Sequence, residues 1–193
     1  MELMQEFFAA IVTGQQEVAA SLLAREPALL QSRNEHGDSP LLAAVYANQR
    51  PLFDWLIERG AAVGLFEATA LGKAGTVRDL LAENPALAAT YSHDGWTPLH
   101  LASFFGHRDV AGLLLDHGAP IDARSKSARF ARDNTPLHAA AANRQTGVAE
   151  LLIERGADIN ARDGSGFTPL GLAANSRNDM LVMVLLERGA VIA

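Results

Sequence analysis

One short pattern recurs along the chain at nearly constant spacing, and it constrains the fold more than any other feature. Serine or threonine followed by proline and leucine opens four segments: Ser39-Pro40-Leu41, Thr97-Pro98-Leu99, Thr135-Pro136-Leu137 and Thr168-Pro169-Leu170. Two more segments, which begin at Phe7 and Leu65, keep the apolar register without the Thr-Pro pair. The six markers are separated by 34, 24, 34, 38 and 33 residues. Such a chain is a repeat protein, in which each unit buries its apolar face against its neighbours.

Each unit has the sequence signals of a helix, a turn and a second helix. Thr97 can cap a helix with its hydroxyl, and Pro98 suits the first helical position, where a missing N–H costs nothing. Gly106 ends this helix and a second one begins near Arg108. Gly118 fits the left-handed position that follows a helix C-terminus.

The units resemble the ankyrin repeat, and the resemblance covers nearly the whole chain. The Thr-Pro-Leu-His segments and the Gly-Ala-Asp-Ile-Asn-Ala segment at 156–161 carry it. It implies an all-α ankyrin-repeat solenoid in a single domain, 1–193, with a degenerate third repeat and one missing finger. We place the six repeats at about 1–33, 34–64, 65–91, 92–124, 125–162 and 163–193. The length and the initial Met suggest a complete protein, similar to small standalone ankyrin repeat proteins of the bacterial type.

A longer period and two irregular spacings modify this pattern. Residues 7–64 align with 65–122 without a gap at an offset of 58, which indicates duplication of a two-repeat block. The 24-residue step lacks about one β-hairpin finger, so 60–64 should link two helices directly and leave a notch. The 38-residue step adds residues within 124–133, where we expect a longer, basic finger.

Composition narrows the function. The chain has 16 Lys and Arg against 22 Asp and Glu, a net charge of −6, which disfavours nucleic acid and anionic membranes as partners. The absence of cysteine excludes disulfides, thiolate nucleophiles and zinc–thiolate sites. The sequence has no targeting segment and no bilayer-spanning apolar run, so we expect a cytoplasmic protein.

We find no common catalytic or metal-binding motif, and we therefore predict a non-catalytic protein without cofactor or metal. No two of the six histidines are spaced as ligands on one helix. The resemblance implies that His100 and His138 hydrogen-bond the backbone of a neighbouring turn. The alternative is a small-ligand or metal-dependent enzyme with its site at the notch, where titratable groups would have to converge near Gly64.

The resemblance implies binding of another protein along the concave face, which the fingers and first helices form. Carried over position by position, the expected partner-binding residues are Tyr46, Trp96, Phe104, Phe105, Asn134, Asn143 and Phe167. The sequence itself adds the finger residue His93 and the cations of the basic finger, Arg124, Lys126, Arg129 and Arg132. Aromatic side chains are frequent interface anchors, and basic side chains favour an acidic partner surface. The alternatives are that one Phe of the pair packs inward and that the basic finger is only a solvated loop.

The C-terminal helix is unusually apolar for the end of a repeat array. We expect Met180 and Met183 to cover the edge of the core and the protein to be a monomer. The alternative is a structural protein that self-assembles through this helix.

Overall fold

The computed structural model describes residues 2–126 and 132–192. Over these residues the chain forms twelve α-helices and two short 3₁₀ helices, with no β-strand, so the predicted all-α fold class is confirmed. The chain divides into two compact units, Met1–Glu67 and Ala68–Ala193, which we call the first and second units. The expectation of a single domain over 1–193 stays a prediction. No helix in the described part of the chain is long and apolar enough to cross a membrane.

The first unit contains two helical pairs. They are α1 (Glu2–Val12), α2 (Gln16–Arg25), α3 (Pro40–Tyr46) and α4 (Arg50–Glu58), followed by α5 (Leu65–Ala70), which spans the boundary. Helix α1 packs against α2 and α3, and α3 packs against α4. Phe7, Ile11, Leu41 and Leu56 are fully buried between these helices. Burying side chains of this size contributes about 1.5–3 kcal/mol each, so this packing is what holds two short helical pairs together.

The second unit contains three complete pairs and one preceding helix. In order they are α6 (Ala74–Glu83), α7 (Pro98–Phe105), α8 (Arg108–Asp116), α9 (Pro136–Ala142), α10 (Thr146–Glu154), α11 (Pro169–Asn175) and α12 (Asp179–Glu187). The first helices α7, α9 and α11 pack in one row, and the second helices α6, α8, α10 and α12 pack in another. Leu99, Leu114, Leu137 and Leu152 are fully buried in this unit. Side-by-side packing of equivalent helices is the arrangement expected for stacked repeats.

The predicted duplication is visible in the secondary structure. Helix α6 begins and ends 58 residues after α2, and α8 begins and ends 58 residues after α4. A 3₁₀ helix that the repeat pattern does not predict follows α2 at Pro27–Gln31, and its counterpart follows α6 at Pro85–Ala89. Helices α2 and α6 end on extended backbone before these prolines, at Glu26 and Asn84. The two blocks therefore share details that the general repeat pattern does not require.

The other second helices end at a glycine. Gly60, Gly118, Gly156 and Gly189 follow α4, α8, α10 and α12 with φ values of 88°, 81°, 90° and 92°. A side chain strains the backbone in this left-handed region, whereas glycine adopts it freely. The role predicted for Gly118 is confirmed.

The link between α4 and α5 contains no hairpin, as the short spacing predicts. The Ser39 hydroxyl accepts a hydrogen bond from the N–H of Leu42, which caps α3, and donates to Glu67 Oε1 at 2.7 Å. The N–H of Gly64 donates to the other carboxylate oxygen of Glu67 at 3.1 Å. The buried Glu67 carboxylate thus joins the α3 cap to the link, in the absence of a finger.

The C-terminal helix corrects one expectation. Met180 and Met183 do not cover the core edge, because their side chains are 67% and 62% exposed. Leu181 and Leu185 are the residues of α12 that are fully buried. The helix rotation places the two methionines at i and i+3 on the outer side, away from the packed side chains.

Candidate protein-binding surface

The fingers of the second unit are formed by residues 90–97, 124–126 with 132–134, and 161–168. Residues 127–131 lie outside the described part of the chain. Each finger is hydrogen-bonded through its backbone to the next. The N–H of Lys126 donates to the carbonyl of Gly95 at 2.8 Å, and the N–H of Gly164 donates to the carbonyl of Arg132 at 2.8 Å. These bonds hold adjacent fingers of the second unit against each other.

Two buried histidines attach each first helix to the finger that follows it. The Nε2–H of His100 donates to the carbonyl of Asn134 at 3.0 Å, and Nδ1 accepts from the hydroxyl of Thr97 at 2.8 Å. His138 makes the same contacts with the carbonyl of Phe167 and the hydroxyl of Thr135. Because a carbonyl only accepts, this pattern assigns the proton to Nε2 in each ring. The structural role expected for both residues is confirmed.

Burial sets the protonation of these rings. It lowers the pKa of His100 from 6.5 to about 4, against the opposing effect of the hydrogen bond to the Asn134 carbonyl. It also lowers the pKa of His138. A low dielectric disfavours the charged imidazolium, so both rings are neutral at physiological pH.

Trp96 is not an accessible anchor, which corrects the expectation for this residue. Its side chain is only 2% exposed and packs along α7 with its ring 5.3 Å from that of Phe104. The rings of Phe104 and Phe105 are 4.9 Å apart in a T-shaped contact, and both residues are half-buried. Trp96 lies in the finger, two residues before α7 begins, and its ring contacts those of His100 and Phe104, which are four residues apart on one face of α7.

The other polar and aromatic residues predicted to bind a partner also differ in their exposure. Asn134 is buried at the base of its finger, where its carbonyl accepts from His100, so its expected exposure is also wrong. Asn143 is half-buried and donates to the carbonyl of Ala139 at 2.9 Å. His93 is exposed, and Phe167 is 46% exposed on the last finger. Tyr46 is half-buried in the first unit, at the end of α3.

The cationic finger residues differ in the contacts that their side chains make. The guanidinium of Arg124 donates to the carbonyls of Asp133 and Arg162, and so joins two fingers. The ammonium of Lys126 lies 3.9 Å from the ring centroid of Tyr91, a contact that the sequence reading missed. Arg132 is exposed, and Arg129 lies outside the described residues. Arg124 therefore has a structural role that its charge alone does not suggest, and Lys126 is held in place by a cation–π contact.

Charge is segregated between the two helical rows of the second unit. The first helices α7, α9 and α11 contain no charged residue. The second helices α6, α8, α10 and α12 contain eight carboxylates and two arginines. The net negative charge of this unit is therefore concentrated on the row of second helices.

The carboxylate at the link between α4 and α5 makes structural hydrogen bonds. Glu67, the carboxylate nearest Gly64, accepts hydrogen bonds from Ser39 and from the link itself. Among residues 2–126 and 132–192, no three histidine, aspartate or glutamate side chains are grouped closely enough to share a metal ion.

Sequence comparison decides the family. The ankyrin repeat profile matches residues 94–126, and a profile of three ankyrin repeats matches residues 121–193. Together they span 94–193, which is 100 of the 193 residues. The chain belongs to the ankyrin repeat family. Ankyrin repeats are generally protein–protein interaction modules that bind other proteins, and the family is typically non-catalytic.

Similar stretches occur in larger proteins. The chain is 37% identical over 116 residues to alpha-latrocrustotoxin-Lt1a of Latrodectus tredecimguttatus, which covers 56% of this chain and 8% of the toxin. It is 43% identical over 53 residues to the serine/threonine-protein kinase VIK of Arabidopsis thaliana (28% of this chain, 12% of the kinase). It is 44% identical over 48 residues to ankyrin repeat domain-containing protein 49 of Bos taurus (25% and 20%). The chain thus matches a fifth or less of each relative's length.

Proposed function

We propose that this protein is a non-catalytic binding module whose partner is another protein, held on the fingers and first helices of the second unit. The segregation of charge supports this proposal most strongly. An acidic protein with uncharged first helices and cationic fingers offers one surface on which an acidic partner is not repelled. Phe167 in the last finger and Phe104 and Phe105 at the end of α7 supply accessible apolar area.

The partner we propose carries an acidic patch. The net charge of −6 opposes binding of nucleic acid, because the phosphate backbone is attracted by a strongly basic surface. The protein then works by occupying or tethering its partner, as a binder, an adaptor or an accessory protein of the immunity type. A cytoplasmic location stays a prediction.

Aromatic truncation is the first test of this surface. We expect Phe104→Ala and Phe167→Ala to weaken partner binding about tenfold each, because truncating an interface aromatic costs about 1–2 kcal/mol. The partner is first isolated by affinity capture on the intact protein, and its Kd for each variant is then measured by calorimetry. Val18→Ala, an exposed apolar position in the first unit, is the control and should leave the Kd unchanged. Full affinity in both phenylalanine variants contradicts the proposed surface.

Charge removal from the long finger tests its electrostatic role. Replacing Lys126, Arg129 and Arg132 with Ser should slow association with the captured partner about tenfold and flatten the salt dependence of the rate. Association is measured by stopped-flow fluorescence between 50 and 500 mM NaCl.

The control for this variant has the same change in net charge. It replaces Arg25, Arg78 and Arg188 with Ser, three exposed residues on or directly after second helices. Equal slowing in both variants would mean that only net charge matters and that the finger has no special role.

The exposed methionines of α12 favour one other candidate, self-assembly through this helix. We nevertheless propose a monomer, because the exposed large apolar residues of this end are far fewer than the roughly 20–30 residues that each side of a stable interface contributes. They are Met180, Met183, Leu186, Val191 and Ile192. Static light scattering at 10–200 µM is expected to give the monomer mass for both the native protein and Met183→Glu. A dimer that Met183→Glu abolishes would replace the proposed monomer with the self-assembling form.

A further inference from the structure

The turns between first and second helices contain two strained arginines. In each pair one turn residue has a positive φ: Gly14 (76°), Asn48 (55°), Gly72 (68°), Gly106 (82°), Arg144 (60°) and Arg177 (55°). Glycine and asparagine tolerate this region, whereas a longer side chain is strained there. The last two repeats therefore hold arginine at a position where glycine would be more stable.

These two turns lie in adjacent repeats that are joined by hydrogen bonds. The Ser176 hydroxyl donates to the carbonyl of Ala141 at 3.0 Å. The Asn178 amide donates to the hydroxyl of Thr146 at 3.0 Å. Arg144 and Arg177 thus occupy equivalent positions in neighbouring turns at the C-terminal ends of α9 and α11. Their backbone is fixed by the fold, so the spacing between the two Cα atoms is set before any partner binds.

Both arginine side chains are available to a ligand. Arg144 and Arg177 are exposed, and neither guanidinium makes a hydrogen bond or ion pair within the described residues. Asp179, the nearest carboxylate in sequence, makes no ion pair with Arg177 in this part of the chain. By contrast, the guanidinium of Arg155 is engaged at 2.8 Å by Asp116 in the row of second helices.

We propose that Arg144 and Arg177 are a second anchor point for the partner, at which they bind carboxylates of an extended acidic segment. The proposal rests on the binding function proposed above and extends its surface from the fingers along the first helices to the turns. The guanidinium fork matches the two oxygens of a carboxylate, which gives both attraction and orientation. Binding of this kind explains why arginine stands at a backbone position that disfavours it.

The segment that fits this surface is a polypeptide and not a nucleic acid. The turns are separated from the cationic fingers by the uncharged first helices α9 and α11, whose accessible residues include Ala142, Gly171 and Ala174. A nucleic acid would require cations along the whole path, because it carries a charge at every phosphate. An acidic peptide with small or apolar residues between its charges matches the surface.

The test combines stability with binding to selected peptides. A randomised dodecapeptide library is selected on the intact protein, and the recovered peptides are synthesised with a fluorescein label. We expect enrichment of Asp and Glu. We expect the Arg144→Gly/Arg177→Gly double variant to bind these peptides about tenfold more weakly. The same variant should melt about 2–4 °C higher for each substitution, because left-handed strain is relieved.

Three control variants separate charge from backbone. Arg144→Asn/Arg177→Asn removes the charge in a residue that tolerates positive φ, and should weaken binding equally. Arg144→Lys/Arg177→Lys keeps the charge but loses the guanidinium fork, and its affinity should lie between those of the native protein and the Asn variant. Asn48→Gly, at the same turn position in the first unit, should change neither peptide affinity nor Tm by a comparable amount.

The outcomes distinguish this inference from the proposed function. If the finger variant weakens peptide binding and the turn variant does not, the turn arginines are not an anchor and the finger surface stands. If neither variant weakens binding, both proposals fail. Selected peptides without acidic enrichment, an unchanged Tm, or equal competition by a single-stranded DNA dodecamer would each overturn the inference.

Discussion

Lowering the pH from 7 to 4 is expected to reduce the free energy of unfolding by about 3 kcal/mol through His100 alone. Its pKa is about 4 in the folded protein and 6.5 when the ring is exposed, and each unit of difference corresponds to about 1.4 kcal/mol. The unfolded chain therefore binds the proton first as the pH falls. The contribution is complete above pH 6.5 and is lost progressively as the pH falls from 6.5 to about 4. His138, whose pKa is also lowered by burial, adds to the loss in the same direction.

The structural cause is that both ring nitrogens of His100 are already in use. A second proton on Nδ1 would face the hydroxyl and the N–H of Thr97, which donate to that atom in the neutral form. Protonation therefore adds a buried charge and also breaks the cap of α7. His100 therefore couples the stability of α7 to that of the next finger, because its Nε2–H donates to the Asn134 carbonyl.

Urea unfolding followed by circular dichroism at pH 4, 5, 6 and 7 measures this effect. His100→Gln cannot titrate but keeps an amide that can donate to the Asn134 carbonyl. It should be less stable than the native protein at pH 7 by about 1–2 kcal/mol and should show a shallower dependence on pH. His93→Gln, which changes an exposed histidine, is the matched control and should retain the native pH dependence. If the free energy of unfolding depends on pH equally in His100→Gln and the native protein, the loss of stability at low pH does not arise from His100.

Removal of the Glu67 carboxylate is expected to lower the free energy of unfolding by about 3 kcal/mol. Glu67→Ala deletes two charge-assisted hydrogen bonds, from Ser39 and from the N–H of Gly64, and bonds of this class contribute about 1.5–3 kcal/mol each. It also leaves the Gly64 N–H without its acceptor. Glu67→Gln should cost about half as much, because its amide oxygen can replace only one of the two acceptors.

The control for Glu67 is Glu58→Ala, an exposed glutamate at the end of α4, which should change stability by less than about 0.5 kcal/mol. Chemical unfolding at pH 7 compares the three variants. Equal, small effects at both glutamates would show that the link between α4 and α5 does not depend on this carboxylate.

Several features of the fold could be predicted from the sequence because they depend on local geometry. The Thr-Pro start of α7, the left-handed glycine after α8 and the direct link before α5 were all expected, and the structure contains them. A cap or a turn involves residues within about four positions of one another, so its signal lies in one short segment. The 3₁₀ helices after α2 and α6 could not be predicted in this way, because the sequence shows only the proline with which each begins.

The candidate site was harder to predict, because exposure depends on contacts between repeats. Trp96 and Asn134 were placed on the accessible surface by their repeat position, but the neighbouring first helix and finger bury them. The prediction that Met180 and Met183 cover the edge of the core was wrong, because burial of Leu181 and Leu185 sets the rotation of α12. Arg124 and Lys126 looked equivalent as cations, yet the first joins two fingers and the second lies over Tyr91.

By itself the sequence determined the repeat, its register and the helix ends, because these follow from local propensities repeated at a fixed period. The tertiary structure alone decided which aromatic rings are accessible, which cations are engaged, and that Glu67 bonds the cap of α3. The physical reason is that side-chain burial and partner choice depend on neighbouring repeats tens of residues away, and a single unit's pattern does not encode those contacts.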